Sequence, residues 1–246
     1  MAKRGPDEAY LLVDGYDVGS ETLDLGIARS AMTEEDTGLG DADETHAIVG
    51  VNAGTLTQRA FYDDAAGKTE DELIPAARLG ALRVVSALVS GNAAGRDMAL
   101  LNARQANVAR IPGRGELTKI EATFLPSGPI DEGKIIQALA AQTGAGASSD
   151  GSLDNAASSA AGGIGVLQVT ALTLGSYTSI DIKIQDSPND STWGDLVTFT
   201  ATTAAPSAEI PVAVAGTVDR YLRAFITLTG SGSGQSITML VAFARR

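Results

Sequence analysis

From Thr143 to Gly163 the chain nearly stops carrying large side chains. Of these 21 residues, 16 are Gly, Ala or Ser, and Leu153 is the one sizeable apolar residue. A segment this poor in apolar surface gains little on burial to offset the entropy of ordering it. Its composition predicts a linker. The pattern also changes across it. Before it lie charged segments, one helix signal and many strand signals; after it come short, evenly spaced strand signals with little charge. The expected organisation is a body over 1–142, a linker over 143–163 and an appended module over 164–246.

The length of 246 residues accommodates two modest domains. The chain has no cysteine, which removes disulfides and thiolate metal sites. No apolar run reaches bilayer-spanning length. The start, Met1-Ala-Lys-Arg-Gly-Pro6, has charge but no apolar stretch behind it, so no secretory signal is expected. His46 is the single histidine, which removes triads and histidine metal sites. Carboxylate-only chemistry stays open in principle. Aromatic residues make up 4%, too few for a stacking surface for single-stranded nucleic acid, and a net charge of −12 opposes tight binding to phosphates.

That charge is unevenly placed. Residues 1–75 hold 17 acids and 5 bases, residues 76–140 hold 5 and 8, and residues 141–246 hold 8 and 5. Opposite charge on successive segments suits head-to-tail association between copies, or simply a solvated surface.

Along the chain, Ala9–Val13 and Tyr16–Val18 flank Asp14-Gly15, a tight-turn signal between apolar runs. Leu23, Leu25 and Ile27 alternate within Glu21–Thr33, as in a strand with one buried face. Glu34–Glu44 is acidic and predicts an exposed hairpin loop. Two strands follow, Thr45–Val51 and Thr55–Tyr62, with a turn at Asn52-Ala-Gly54 between them. Thr69-Glu-Asp-Glu72 has capping-box spacing and predicts a short helix, limited by Pro75 and stopped near Gly80. Arg83–Val89, Leu117–Leu125 and Lys134–Ala140 read as strands. Asp97–Ile111 fits either a helix or a strand, and its neighbours favour the strand. Beyond the glycine-rich segment, strands are expected at Ile164–Leu174, Ser179–Asp186, Trp193–Thr200, Ala208–Val214, Arg220–Thr229 and Ser236–Phe243. The predicted fold class is mainly β: an N-terminal sandwich or small barrel with one short helix, then an antiparallel sandwich or jelly roll.

Three groups of residues are site candidates. The first is the acidic run Glu34, Glu35, Asp36, Asp41, Asp43 and Glu44, whose spacing is not that of a calcium loop, so a solvated loop or a subunit contact is the expected role. The second is Arg104, Arg110 and Arg114, placed to meet acids of a neighbouring copy. The third is the turn Asp186, Asn189, Asp190 and Trp193. Such a turn can hold calcium, and a nearby tryptophan can stack on a sugar, but a plain hairpin turn with a core tryptophan is the commoner outcome. No group of residues has the pattern of a catalytic site, a cofactor site or a metal centre.

Tyr10-Leu-Leu-Val-Asp-Gly-Tyr-Asp-Val18 followed by Glu21–Thr33 resembles the opening hairpin and long strand of the major tail, or tail tube, proteins of long-tailed bacteriophages. Thr55-Leu-Thr-Gln-Arg-Ala-Phe-Tyr-Asp-Asp64 resembles that family's strand with an aromatic and acidic end, and Thr69–Glu72 follows in the family's order. Ile180–Asp186, Trp193–Thr200 and Gly216-Thr-Val-Asp-Arg-Tyr-Leu-Arg223 resemble the β-sandwich that ends many such proteins. The resemblance implies a non-enzymatic virion protein, assembled in the host bacterial cytoplasm without cofactor or membrane. Its copies would form stacked rings, usually of six, around a tape-measure protein and against tail-end proteins, with DNA passing through. It casts the acidic run as a ring-stacking or lumen loop, and the C-terminal module as outward-facing. Open alternatives are a head decoration or tail-tip protein, a sugar-binding β-sandwich, and a ring in which three chains mimic six-fold symmetry. In an assembly, 143–163 would be a strap as readily as a tether.

Overall fold

The computed structural model describes residues 10–19, 22–35, 47–75, 78–211 and 213–246. Fifteen strands and one helix fill them, and the fold is mainly β as the alternation patterns predict. In chain order these are β1 (Tyr10–Val13), β2 (Tyr16–Asp17), β3 (Thr22–Glu35), β4 (Ala47–Phe61), α1 (Thr69–Leu73), β5 (Leu82–Leu88), β6 (Asp97–Ile111), β7 (Lys119–Pro126) and β8 (Asp131–Gln142). They continue as β9 (Gly146–Asp154), β10 (Gly163–Thr173), β11 (Tyr177–Ser187), β12 (Gly194–Thr198), β13 (Ser207–Glu209), β14 (Tyr221–Gly230) and β15 (Ser236–Arg245). All named pairings are antiparallel.

One large sheet runs β13-β10-β15-β8-β6-β5-β1-β2, with β7, β4 and β3 branching from β6. A second sheet runs β12-β11-β14-β9. Three apolar layers follow from side-chain alternation along the strands. On β1, β5 and β6, Leu11, Val85 and Leu101 face a layer closed by β4, β7 and α1, while Leu12, Leu88 and Leu100 face β8, β10 and β15. On β15, Leu240 and Ala242 face that middle layer, and Met239, Val241 and Phe243 face the second sheet. Strands buried on both faces need near-continuous apolar runs, which is why Met239–Ala244 carries no polar residue.

The segment expected as a linker is built differently. Within 143–163 lies β9, whose residues Asp154 to Ser152 pair with Tyr221 to Arg223 of β14. Small residues suffice there because the backbone ladder supplies the bonding. The large sheet also crosses the expected boundary, since β15 pairs with β8 from Ile237↔Gln142 to Phe243↔Lys134. The antiparallel sandwich expected after 163 is present, and it shares its strands with the body. β10, β13 and β15 complete the body's sheet, and β11, β12 and β14 join β9.

Three local expectations are also corrected. No turn occurs at 52–54, where β4 runs straight through. Thr69 does not cap α1: Lys68 holds that position, and the Thr69 hydroxyl instead donates to Phe61 O at 2.9 Å and accepts from Asp63 N at 3.1 Å. Of the strand expected at 208–214, the described structure keeps Ala208 and Glu209, the last two residues of β13.

The ends of the large sheet nearly meet. The β1–β2 turn places Gly15 at φ +86°, where a Cβ would sit 2.4 Å from Ser207 N and 2.5 Å from Val169 O. Gln168, fully buried, locks this seam. Its Oε1 accepts from Gly15 N at 2.6 Å, and its Nε2 donates to Ser86 Oγ at 3.0 Å and Val84 O at 3.2 Å. Gln168→Leu strands the Gly15 N–H in an apolar seam. The expected loss is about 1–3 kcal/mol, read as a lower urea midpoint at unchanged slope.

Candidate assembly interface

β3 and β4 form a hairpin arm much longer than its support. Their register runs from Thr22↔Ala60 to Glu35↔Ala47. β7, the only other strand bonded to β4 among the described residues, covers just Leu56–Phe61. The stretch pairing 28–35 with 47–55 therefore has no third strand beside it among the described residues. At about 3.4 Å per residue it projects about 27 Å. Among the described residues β3 is bonded on one side along its whole length, so its outer edge is a row of backbone donors and acceptors without strand partners there.

The root of the arm is firmly held. Leu25 and Ile27 pack on the core layer in which Leu56 is fully buried. Gln58 Nε2 donates to Val18 O at 3.0 Å and Thr22 Oγ1 at 2.7 Å. Arg29 is ion-paired to Glu132 and lies 3.4 Å from Ile130 O. Gly54, opposite Arg29, leaves room for Ile130, whose Cδ1 lies 2.7 Å from where a Cβ would be. A rigid root carrying a long one-sided ladder is the geometry of strand addition to another chain.

Of the acidic run, Glu34 and Glu35 end β3. Asp36, Asp41, Asp43, Glu44 and His46 lie outside the described residues.

The structure does not gather the three arginines. Arg110 is engaged within its own chain, ion-paired to Glu70 with Nε 3.1 Å from Oε2 and lying 6.0 Å from the Tyr62 ring centroid. Arg104 donates to Gly80 O at 2.7 Å, and Arg114 is exposed in the turn after β6. Arg104 and Arg114 have no carboxylate partner among the described residues.

The turn at 186–193 satisfies itself. Asn189 Oδ1 accepts from Ser187 Oγ, Ser191 N, Ser191 Oγ and Thr192 N at 2.9–3.1 Å. Asp186 Oδ2 accepts from Asp219 N at 2.9 Å. Asp190 sits at φ +60°. The Trp193 ring, half-buried, is stacked by the Arg223 guanidinium 4.1 Å from its centroid. Arg223 also lies 5.0 Å from the Phe225 centroid and gives Nε and Nη2 to Gln185 Oε1. These groups are spent on holding the β12 edge, and no metal-holding cluster occurs among the described residues.

Electrostatics elsewhere serve structure. The Arg220 fork holds Asp154, and with the Ala156 N–H it lowers that carboxyl to about 2. Burial and then Glu72 raise the Tyr16 phenol above its usual range. Beneath α1, the buried Arg83 spans Glu72, Asp14 and Gln105.

No protein-family model and no curated protein matches the chain. Solved structures overlap it loosely. The tail of an empty gene transfer agent particle, refined helically with C6 symmetry, gives 16% identity over 52% of this chain and 97% of that one, with a TM-score of 0.39. A chain from the virion of the native gene transfer agent gives 13% over 53% and 98%, with 0.40. The SPP1 Dit protein, described as a paradigm of the hub adsorption apparatus in phages infecting Gram-positive hosts, gives 10% over 96% and 98%, with 0.35. All three TM-scores lie below 0.5.

Proposed function

We propose that this chain is a structural virion protein whose copies assemble into stacked rings and form a phage tail tube through which DNA passes. The observation that carries this reading is the β3–β4 arm: a long ladder, anchored at its root and open along one edge. Left bare, such an edge invites uncontrolled association; paired in a closed ring it disappears. The opening hairpin and strand pattern of residues 10–33, which resembles the tail tube family, supports the same reading. So does charge. Glu34 and Glu35 at the arm, with the acids at 36, 41, 43 and 44, would line a passage with negative charge. An acidic lining repels phosphate and lets DNA slide without sticking. The reading further places the sheet of β9, β11, β12 and β14 on the outside of the tube. Its partners would be further copies, a tape-measure protein and tail-end proteins, assembled in the bacterial cytoplasm.

Negative-stain micrographs of the concentrated protein test this directly. Long hollow tubes are the expected result. Single discrete rings would move the chain to the tail tip, trimers would move it to head decoration, and a monomer at every concentration would end the assembly reading.

A further inference from the structure

On β5, β6 and β7 the register aligns Leu82 with Arg104 and Arg104 with Leu125. Directly opposed residues point to the same face, so the three form one row across the sheet. Both leucines are open to solvent, Leu82 at 54% and Leu125 at 45% of full exposure. Leu79, 46% exposed, adjoins the row through its bridge to Gln105. Two residues along β5, Val84 already packs against the layer formed with β8, β10 and β15. The chain thus covers one end of this face, where Val84 packs, and leaves the leucine row bare. Such a bare apolar row, with an arginine at its centre, has the composition of an interface core.

We infer that the Leu79, Leu82, Arg104 and Leu125 patch is covered by a second copy of this chain. Charge selects that occupant. Arg104 donates to Gly80 O and has no carboxylate partner among the described residues. A copy of the chain carries a net −12, concentrated in residues 1–75 with 17 acids against 5 bases. It therefore offers carboxylates to a cation ringed by leucines. Nucleic acid is disfavoured, because one guanidinium among three leucines neutralises a single phosphate. The patch lies on a sheet face while the arm offers a strand edge. The two surfaces are different, so a contact using both is head-to-tail, the kind that closes rings or builds filaments. This inference rests on the assembling-subunit reading and names a surface of that assembly.

The test compares wild type with Leu82→Lys/Leu125→Lys and with Arg104→Glu, by sedimentation velocity and electron microscopy at matched concentrations. Both leucines are already half out in water, so the lysine variant should fold with an unchanged circular dichroism spectrum. The expected result is a fall of about tenfold or more in the assembled fraction. Because the chain has no cysteine, Leu125→Cys gives a second readout: maleimide labels it in dissociated protein and fails to label it in the assembly. This readout decides the matter should the lysine variant misfold. Wild type that assembles while the lysine variant assembles equally well, or Leu125→Cys that labels at one rate in both states, overturns the patch and leaves the tube reading standing. Wild type that forms discrete rings, lost in the variants, upholds the patch and overturns the tube. Wild type that stays monomeric overturns both.

Discussion

Arg83→Ala is expected to cost about 3–5 kcal/mol of unfolding free energy, the range for breaking a buried ion pair from one side. Arg83 is 1% exposed, and every polar atom of its guanidinium is used. Nε donates to Asp14 Oδ2 at 2.7 Å, Nη1 to Glu72 O at 2.8 Å and Gln105 Oε1 at 3.2 Å, and Nη2 to Glu72 Oε2 at 3.2 Å. The partners are bound in turn. Asp14 Oδ1 accepts from Val84 N at 2.7 Å, Gln105 Nε2 donates to Leu73 O at 2.5 Å, and Arg78 reaches Glu72 Oε2 at 2.8 Å from the rim. One side chain therefore ties the β1–β2 turn, α1, β5 and β6 together. Its removal leaves the Glu72 carboxylate, itself 2% exposed, without its buried cation and held by Arg78 at the rim and the Tyr16 hydroxyl, and opens a cavity beside it.

Denaturant unfolding checks this result. Since domains are stable by only about 5–15 kcal/mol, the loss should shift the midpoint far toward zero denaturant. Arg83→Lys should fail nearly as badly, because an ammonium cannot reproduce the planar fork. Arg83→Met combined with Glu72→Gln should recover part of the loss, because the stranded charge goes with its partner. A double variant no better than Arg83→Ala would show that lost packing, and not the uncompensated carboxylate, sets the cost.

The strands and the single helix were legible because their periods differ. Leu23, Leu25 and Ile27 alternate in β3, and the run from Thr69 opens α1. Asp97–Ile111 resolved to a strand, β6, whose first residues face two buried layers and so lack a clean alternation. The strand within 143–163 is not legible from composition, for a physical reason. Composition reports what side chains can bury, but β9 is held by backbone bonds to β14 and by Asp150 and Ser149, which bond Ala138 and the side chains of Gln137 and Gln142 on β8. Long-range pairing of that kind leaves no local trace. Neither did the Gln168 seam, which joins residues 153 positions apart. Of the candidate site, the acidic run and Arg104 were visible as residue types. The open edge of β3 and the Leu82–Arg104–Leu125 row were not, because both depend on how many neighbours each strand acquires.

Cutting the arm should abolish assembly and spare the fold. Arg29 and Gly54 face each other across β3 and β4, so a two-residue Asn-Gly turn can join them in place of 30–53. Everything that anchors the root stays: Leu25 and Ile27 on the core, buried Leu56, the Gln58 bonds to Val18 and Thr22, and the Arg29–Glu132 pair. The melting temperature should therefore stay within a few degrees of wild type, since these root contacts are all kept. Assembly should behave in the opposite way. An unpaired ladder of this length supplies main-chain bonds that no surface side chain replaces, so light scattering should report monomer at every concentration, with no tubes in micrographs. Glu34→Gln/Glu35→Gln separates the two parts the arm would play. If backbone pairing builds the ring and charge only keeps the passage from holding DNA, the neutralised protein still forms tubes, and those tubes retain DNA at low salt where wild type releases it. Tubes formed by the truncated chain would instead place the ring contact elsewhere, and the open edge of β3 would lose its role.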